Sequence, residues 1–388
     1  MMKIYLFLVP LFLVIACSKR IEDEHTRVLI PWPNESGKYS LQVVNIETLN
    51  DMREMKGSAA ELYVQAGLNK DSIKGVKPNA QFSKSSKGYW VPKDTITQEM
   101  ASIYAHMERL KALDQEIGID ILLSWPRQIG VETIATDSRN NKRIYENAMY
   151  ISEQDVMLFF PYRRNQLPIS LNAGIIAHEH FHSIFQRIVL DPLSARYNIE
   201  EMNRESISLK PRTDAEIEKK ETVLNNMFIL RGLNEGLADV WGSIYTGEAD
   251  FISPSLRTLQ RNTSPLNTSE YSLQAYVPII RASQSMQTLE NAAYALGTQY
   301  ARSMRKAMGE EKLASSTKMG QAIFVVERMT RLRDLLIDGF DNKVPAEVLL
   351  QAIYKKDELN AENCKWINPL LEDIDSEYKT TCKALLAK

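Results

Sequence analysis

Residues 171–190 read LNAGIIAHEHFHSIFQRIVL, and within them the run His178-Glu179-His180-Phe181-His182 decides how the rest of the chain is read. On an α-helix, residues four apart lie on one face, one turn from each other. His178 and His182 can therefore offer two imidazoles to one metal ion. Glu179 follows the first of them directly, placed to act as general base on water beside the ion. The flanking residues predict the helix itself. Ser170 is a favourable N-cap, Ile175, Phe181, Ile184, Phe185 and Ile188 recur at helical intervals, and Pro192 ends the run. As one face of a buried helix without a metal, the three polar side chains would each need a partner among Ile, Phe and Ala. His180 lies two residues from each ligand and points off their face, to the back of the site or to solvent.

A catalytic zinc takes three protein ligands and keeps a fourth position for water. The third is supplied downstream by Gly232-Leu233-Asn234-Glu235-Gly236-Leu237-Ala238-Asp239-Val240-Trp241-Gly242. Glu235 is the natural ligand. Asp239, one turn further along the same face, can accept the free ring N–H of a ligand histidine and fix its tautomer. Between the two motifs runs a polar, Pro-punctuated insertion, Asp191 to Arg212, and then a helix start at Thr213-Asp214 with i,i+4 charge pairing. Upstream, Thr95 or Thr97 opens a helix with an apolar stripe at Ile103, Met107, Leu110 and Leu113, stopped by Gly118. His106 on that helix is read as structural. Strands are predicted at Val28–Ile30, Leu41–Val44 and Ile119–Leu123, with a hairpin joining Asn147–Ile151 to Asp155–Pro161. Residues 67–88 are read as loop. After Glu290 the chain is mostly helical: Tyr294, Tyr300, Ile323, Val326, Met329, Leu332 and Leu336 recur at helical spacing, as do Val348, Leu349, Ile353 and Tyr354. Core packing accounts for these better than a cofactor site.

H-E-x-x-H followed by N-E-x-x-x-D resembles the gluzincin metallopeptidases, most closely the thermolysin-like group, over about residues 95–310. The resemblance implies an α+β, zincin-like fold of two lobes, a β-containing N-terminal lobe and a mainly helical C-terminal lobe with the active site between them. It implies one Zn²⁺ held by His178, His182 and Glu235, and peptide hydrolysis with Glu179 as the catalytic base. It places Asn147-Ala148 on the edge strand that holds substrate backbone, and Arg257, in Ser255-Leu256-Arg257-Thr258-Leu259, against a substrate carbonyl. Asn291-Ala292-Ala293-Tyr294 is similar to a helix of the family's C-terminal lobe. Two departures stand out. The family's downstream histidine, which stabilises the transition-state oxyanion, has no counterpart, because no histidine follows His182. Arg281, Tyr294 or Tyr197 would have to supply that donor. Gly174 stands where the family has a calcium-binding aspartate, so no calcium is expected.

The first residues, MMKIYLFLVPLFLVIACS, have one early lysine and an apolar run too short to span a bilayer. Val14-Ile15-Ala16-Cys17 resembles a bacterial lipobox. The chain is therefore divided into a lipoprotein signal peptide (1–16), a charged tether (17–27), an N-terminal α/β lobe (28–170), the zinc-site helices (171–250, with the insertion at 191–231) and a mainly helical C-terminal lobe (251–388). Lipidation of Cys17 would anchor the protein to the bacterial envelope, by the enterobacterial rule at the outer membrane, facing the periplasm or the exterior. Of three cysteines, Cys364 and Cys382 then remain for a disulfide, which an exported compartment permits. A formal net charge of −2 shows no basic excess to suggest nucleic acid as partner. The expected partners are a peptide or protein substrate and the membrane. A competing reading is a catalytically weak or inactive zinc-binding lipoprotein that binds envelope peptides or partners. The missing histidine favours it and the intact Glu179 opposes it.

Overall fold

The structure is a computed structural model that describes residues 26–34, 37–68, 72–137, 141–199, 213–257, 261–264, 286–310, 317–345, 347–371 and 376–388. Cys17, Arg281, the signal peptide and most of the tether lie outside the described residues. The N-terminal part is mixed α/β and the rest mostly helical. A four-stranded sheet runs in the order β2 (Tyr39–Ile46), β1 (Thr26–Pro33), β8 (Trp90–Pro92) and β7 (Phe82–Lys84). A larger sheet is ordered β12 (Ala148–Ile151), β13 (Val156–Phe159), β9 (Arg127–Val131), β5 (Ala60–Leu68), β4 (Lys56–Gly57) and β3 (Leu49–Asp51), with β6 (Ile73–Val76) also on β5. β9 runs parallel to both β5 and β13, while β12 returns antiparallel and forms the free edge. Residues 67–88 thus carry two short strands and not only loop. The run Ile119–Leu123 is no strand: Asp120–Leu122 form one 3₁₀ turn with Ile121 almost fully exposed. An apolar run that short does not distinguish strand from turn.

Helix α1 (Thr95–Glu116) lies on these sheets through Met100, Ile103, Tyr104, Met107 and Leu110, all buried. Its N-cap is Asp94, whose carboxylate accepts from the Thr97 N–H, and Gly118 follows its end at φ +76°. His106 is buried, stacked on Trp32 at 4.1 Å and 2.9 Å from the Tyr245 hydroxyl. That is a structural setting.

Helix α2 (Ala173–Phe185) carries the first motif. Its N-cap is Asn172 rather than Ser170. The Asn172 Oδ1 accepts from the N–H groups of Gly174 and Ile175, and the Ala173 N–H donates to the Tyr39 hydroxyl. Pro192 does not end the helical path. A π-helical turn (Gln186–Leu190) leads into α3 (Asp191–Tyr197), and Pro192 sits in the first turn of α3. Helix α4 (Asp214–Thr246) begins with a capping box between Thr213 and Glu216 and runs unbroken through the second motif. The 191–231 segment is thus largely helix among its described residues. Four more helices follow that matter for packing: α5 (Met286–Glu310), α6 (Lys318–Gly339), α7 (Val348–Ile353) and α8 (Ala361–Leu370), the last tied to α9 (Glu377–Leu386) by a Cys364–Cys382 disulfide. Met329, Leu332 and Leu336 of α6 are core as expected, but Ile323 is exposed. Among the described residues no helix is long and apolar enough to cross a membrane.

Two contacts set where the motif-bearing elements stand. Arg127, 1 % exposed, grips Asp155 with two N–H groups; the same carboxylate accepts from Tyr150 of β12 and from Arg187 beyond α2. The edge hairpin is thereby pinned to the end of α2. On the other side, α4 and α5 touch backbone to backbone: a Cβ on Gly297 would lie 2.5 Å from the Gly232 carbonyl oxygen. Gly297→Ala should therefore destabilise the fold, by roughly 1–3 kcal/mol from overpacking. Helix propensity alone would give a gain of about 1 kcal/mol. Urea unfolding measures the sign, and a gain in stability would refute the crossing.

Glu99 of α1 is buried against Ser170, the residue expected to cap α2. Burial, with Glu132 nearby, pushes its carboxyl up to about 7. The folded state therefore favours the protonated form. That contribution is complete below about pH 4.5 and is lost as the pH rises through about 7. Between pH 5 and 8 the wild type should lose stability relative to Glu99→Gln, by an amount on the order of 3 kcal/mol. Parallel pH profiles for the two proteins would exclude this.

Candidate metal centre

Histidines four apart on α2 present their rings to a common point: the Nε2 atoms of His178 and His182 are 3.0 Å from each other. Their other ring nitrogens are turned away by partners from α4. His178 Nδ1 faces Asp239 Oδ1 at 3.1 Å, and the His182 Nδ1–H donates to Asn234 Oδ1 at 2.9 Å. Each imidazole is thus held with its Nε2 toward the shared point, as outer partners of metal ligands do. Donor atoms of His178, Glu179 and His182 all lie within 4.8 Å of one another, and the three residues can hold a metal ion. Glu235 comes in from α4, its Oε2 3.6 Å from His178 Nε2. The helix register does this: positions 234, 235 and 239 reach α2, while Gly236 faces the α5 backbone.

The surroundings call for a cation. Asp239 is 1 % exposed and Glu235 is 17 % exposed, so both need compensation. Arg261 provides it, with Nε and Nη2 on the two Asp239 oxygens at 2.9 Å and Nη2 on Glu235 Oε2 at 2.8 Å. Burial would raise the Glu235 carboxyl, but the Arg261 guanidinium and His178 outweigh it and hold it well below the usual carboxylate range. Burial likewise disfavours charge on His178, but Asp239 and Glu235 outweigh it and lift the imidazole to about 9. Even with Arg261 in place, the carboxylates attract a further positive charge at the His178 ring.

The point where these atoms meet lies at a cleft of about 590 Å³. Ile169, Ile175, Phe251, Ile252 and Leu256 make it apolar on one side, and Asn147 and Ala148 of the free sheet edge border it. Helix α5 forms the opposite wall with Tyr294, Thr298 and Arg302. The expected site residues therefore divide. His178, Glu179, His182, Glu235 and Asp239 come together, and Asn147, Ala148 and Tyr294 line the same cleft. Arg257 is exposed and outside the lining; the arginine in the cleft is Arg261, packed over the Tyr294 ring at 5.0 Å. Tyr197 donates to the Ile337 carbonyl and is away from the cleft lining. His180 faces neither ligand nor solvent. It is fully buried, its Nε2 2.8 Å from Asp114 of α1. Gly174 is required by packing, since a Cβ there would meet the Phe251 ring at 2.3 Å.

Asn234 and Arg261 were not singled out from the sequence. Asn234 lies inside the N-E-x-x-x-D motif, where its place before Glu235 was the available signal. Arg261 carries none, being in irregular chain beyond α4. No protein-family model matches this chain, and no curated protein matches it.

Metal binding tests the site directly. The wild type should take up a divalent ion in competition with a chromophoric chelator, and His182→Ala should lose it. Asn234→Ala and Asp239→Ala should weaken uptake roughly 10–100-fold by freeing the imidazoles. Undiminished affinity in His182→Ala would remove the assignment.

Proposed function

We propose that the protein is a zinc-dependent metalloendopeptidase of the thermolysin-like gluzincin type, on a two-lobed zincin-like fold. The observation that carries this reading is the placement of Glu179 beside the converging Nε2 atoms, at a cleft bordered by a free sheet edge. Two imidazoles and a carboxylate are a donor set suited to catalytic zinc. Bound there, zinc would supply a Lewis acid that polarises the scissile carbonyl and makes water nucleophilic at neutral pH. Glu179 takes the proton of the attacking water and passes it to the departing amine. Asp239 and Asn234 keep the two imidazoles aimed, and Arg261 holds Glu235 and Asp239 in register. An extended substrate adds to the edge at β12, with Asn147 and Ala148 offering main-chain hydrogen bonds. Arg261, rather than Arg257, is the guanidinium placed to meet a substrate carbonyl.

We place the protein at the bacterial envelope, anchored by lipid on Cys17 with its site in the periplasm or outside, where the Cys364–Cys382 disulfide is stable.

One observation favours a second reading, a zinc-binding lipoprotein with little or no turnover: no histidine follows His182 to donate to the oxyanion. Loss of one such donor costs on the order of 10²–10³ in rate. Tyr294, on the cleft wall against Arg261, is the residue we assign to that place. Zinc content and peptide cleavage, measured side by side for wild type and Glu179→Gln, decide between the readings. The peptidase reading expects equal zinc and a fall in kcat of roughly 10²–10⁴-fold in the variant. Zinc in both proteins with cleavage in neither would leave the binder.

A further inference from the structure

We infer that the cleft selects peptides that present a carboxylate near the scissile bond, and that Arg302 on the α5 wall recognises it. The inference takes its substrate class, a peptide, from the function proposed above.

The two guanidiniums of the cleft are in opposite situations. Arg261 spends Nε and Nη2 on Glu235 and Asp239, so that only Nη1 is left to meet a substrate carbonyl. Arg302 is half-buried, and its Nε donates to the Asn262 carbonyl at 3.1 Å, which holds the side chain against the loop that also carries Arg261. Among the described residues no carboxylate pairs with it. The neighbouring arginine on α5, Arg305, is by contrast taken up by the Ser243 hydroxyl outside the cleft lining. Anchoring through Nε leaves the Nη fork for a ligand, and a planar fork is matched by a carboxylate, which accepts two parallel hydrogen bonds.

Position and charge agree with this. Tyr294, Thr298 and Arg302 follow at intervals of four, so they form one stripe along the cleft. Tyr294, in contact with Arg261, marks the metal end of that stripe. Arg302 is roughly 12 Å further along the axis by backbone rise, less the lean of helical side chains toward the N-terminus. That span is two or three residues of extended peptide, at about 3.4 Å each. Glu179 is the only carboxylate in the described lining. With Glu235 and Asp239 behind it, three carboxylates face two guanidiniums, and a divalent ion at the histidines leaves the whole positive. A half-buried guanidinium with no carboxylate partner among the described residues, set in a positive cleft, favours anionic ligands. The carboxylate can be an acidic side chain or a free chain terminus.

The test uses the zinc-loaded full chain carrying Glu179→Gln, so that binding is read without turnover. Fluorescence anisotropy compares three versions of one labelled peptide: Asp or Glu with an amidated C-terminus, the Asn or Gln isostere with an amidated C-terminus, and that isostere with a free C-terminus. Tighter binding of the first identifies an acidic side chain, and of the third a chain terminus. Either preference should be roughly 10–100-fold. It should fall to near unity with Arg302→Gln and persist in part with Arg302→Lys. Equal binding of all three peptides before any change at Arg302 overturns the inference, as does a preference that survives Arg302→Gln. Failure of every peptide to bind overturns both it and the peptidase reading. If the preference holds and depends on Arg302 while wild type cleaves nothing, the carboxylate site stands and only the peptidase reading falls.

Discussion

Everything at the candidate site depends on how closely α4 can approach its neighbours. Its C-terminal half meets α2 at Gly242, where a Cβ would lie 2.7 Å from the Gly174 carbonyl oxygen, and Phe181 packs on Trp241 with ring centroids 5.3 Å apart. Six residues earlier, Gly236 meets the backbone of α5, its Cβ position 2.3 Å from the Gly297 oxygen. A side chain at either place would push the helices apart by more than a hydrogen bond tolerates. Asp239 sits between these contacts, and Asn234 and Glu235 directly precede Gly236. The helix–helix distance is therefore set by backbone sterics, and the polar residues inherit it.

Burying so many charged groups is costly, and the molecule offsets the cost in the same way at both ends of the cleft. In each case an arginine grips carboxylates carried by another element: Arg261 those of Glu235 and Asp239 on α4, and Arg127 of β9 that of Asp155. Removing one partner of such a group strands the other, which is why these contacts hold geometry even where they add little net stability. Arg127 and Arg187 fix the hairpin whose edge borders the cleft, and Arg261 fixes the carboxylates beneath it. The cleft is in this sense shaped before any ligand arrives. Pre-set dipoles and charges of this kind favour chemistry because nothing must reorganise when charge develops.

Much of this was readable in advance wherever the controlling geometry is local. His178 and His182 share a face because the helix repeats every 3.6 residues, with Glu179 next to the first of them, and the pairing of Glu235 with Asp239 follows the same rule. Gly118 closes α1, and the Thr213–Glu216 box opens α4, through contacts spanning only a few residues. Local rules also misled where two structures share one pattern. Ser170 and Asn172 are both good caps, and the choice was made by Tyr39, Phe251 and Ser255, which satisfy Asn172 and its helix from distant parts of the chain. Pro192 reads as a terminator but is equally at home in a first turn, once a π-helical turn redirects the chain.

What lay beyond the sequence were partnerships with no fixed spacing. His180 looked like a back-of-site or surface residue until α1 brought Asp114 against it. Arg257 sits in the expected pattern yet faces outward, while Arg261 enters the cleft. Helical period carries no information about which side chain of an irregular segment turns inward, because that is settled by the shape and charge of what it meets. The identity and order of the candidate metal ligands are thus properties of the chain. The guanidiniums that surround them, Arg261 beneath and Arg302 along the wall, are properties of the packed molecule, since a long flexible side chain takes its direction from the charges and carbonyls within its reach.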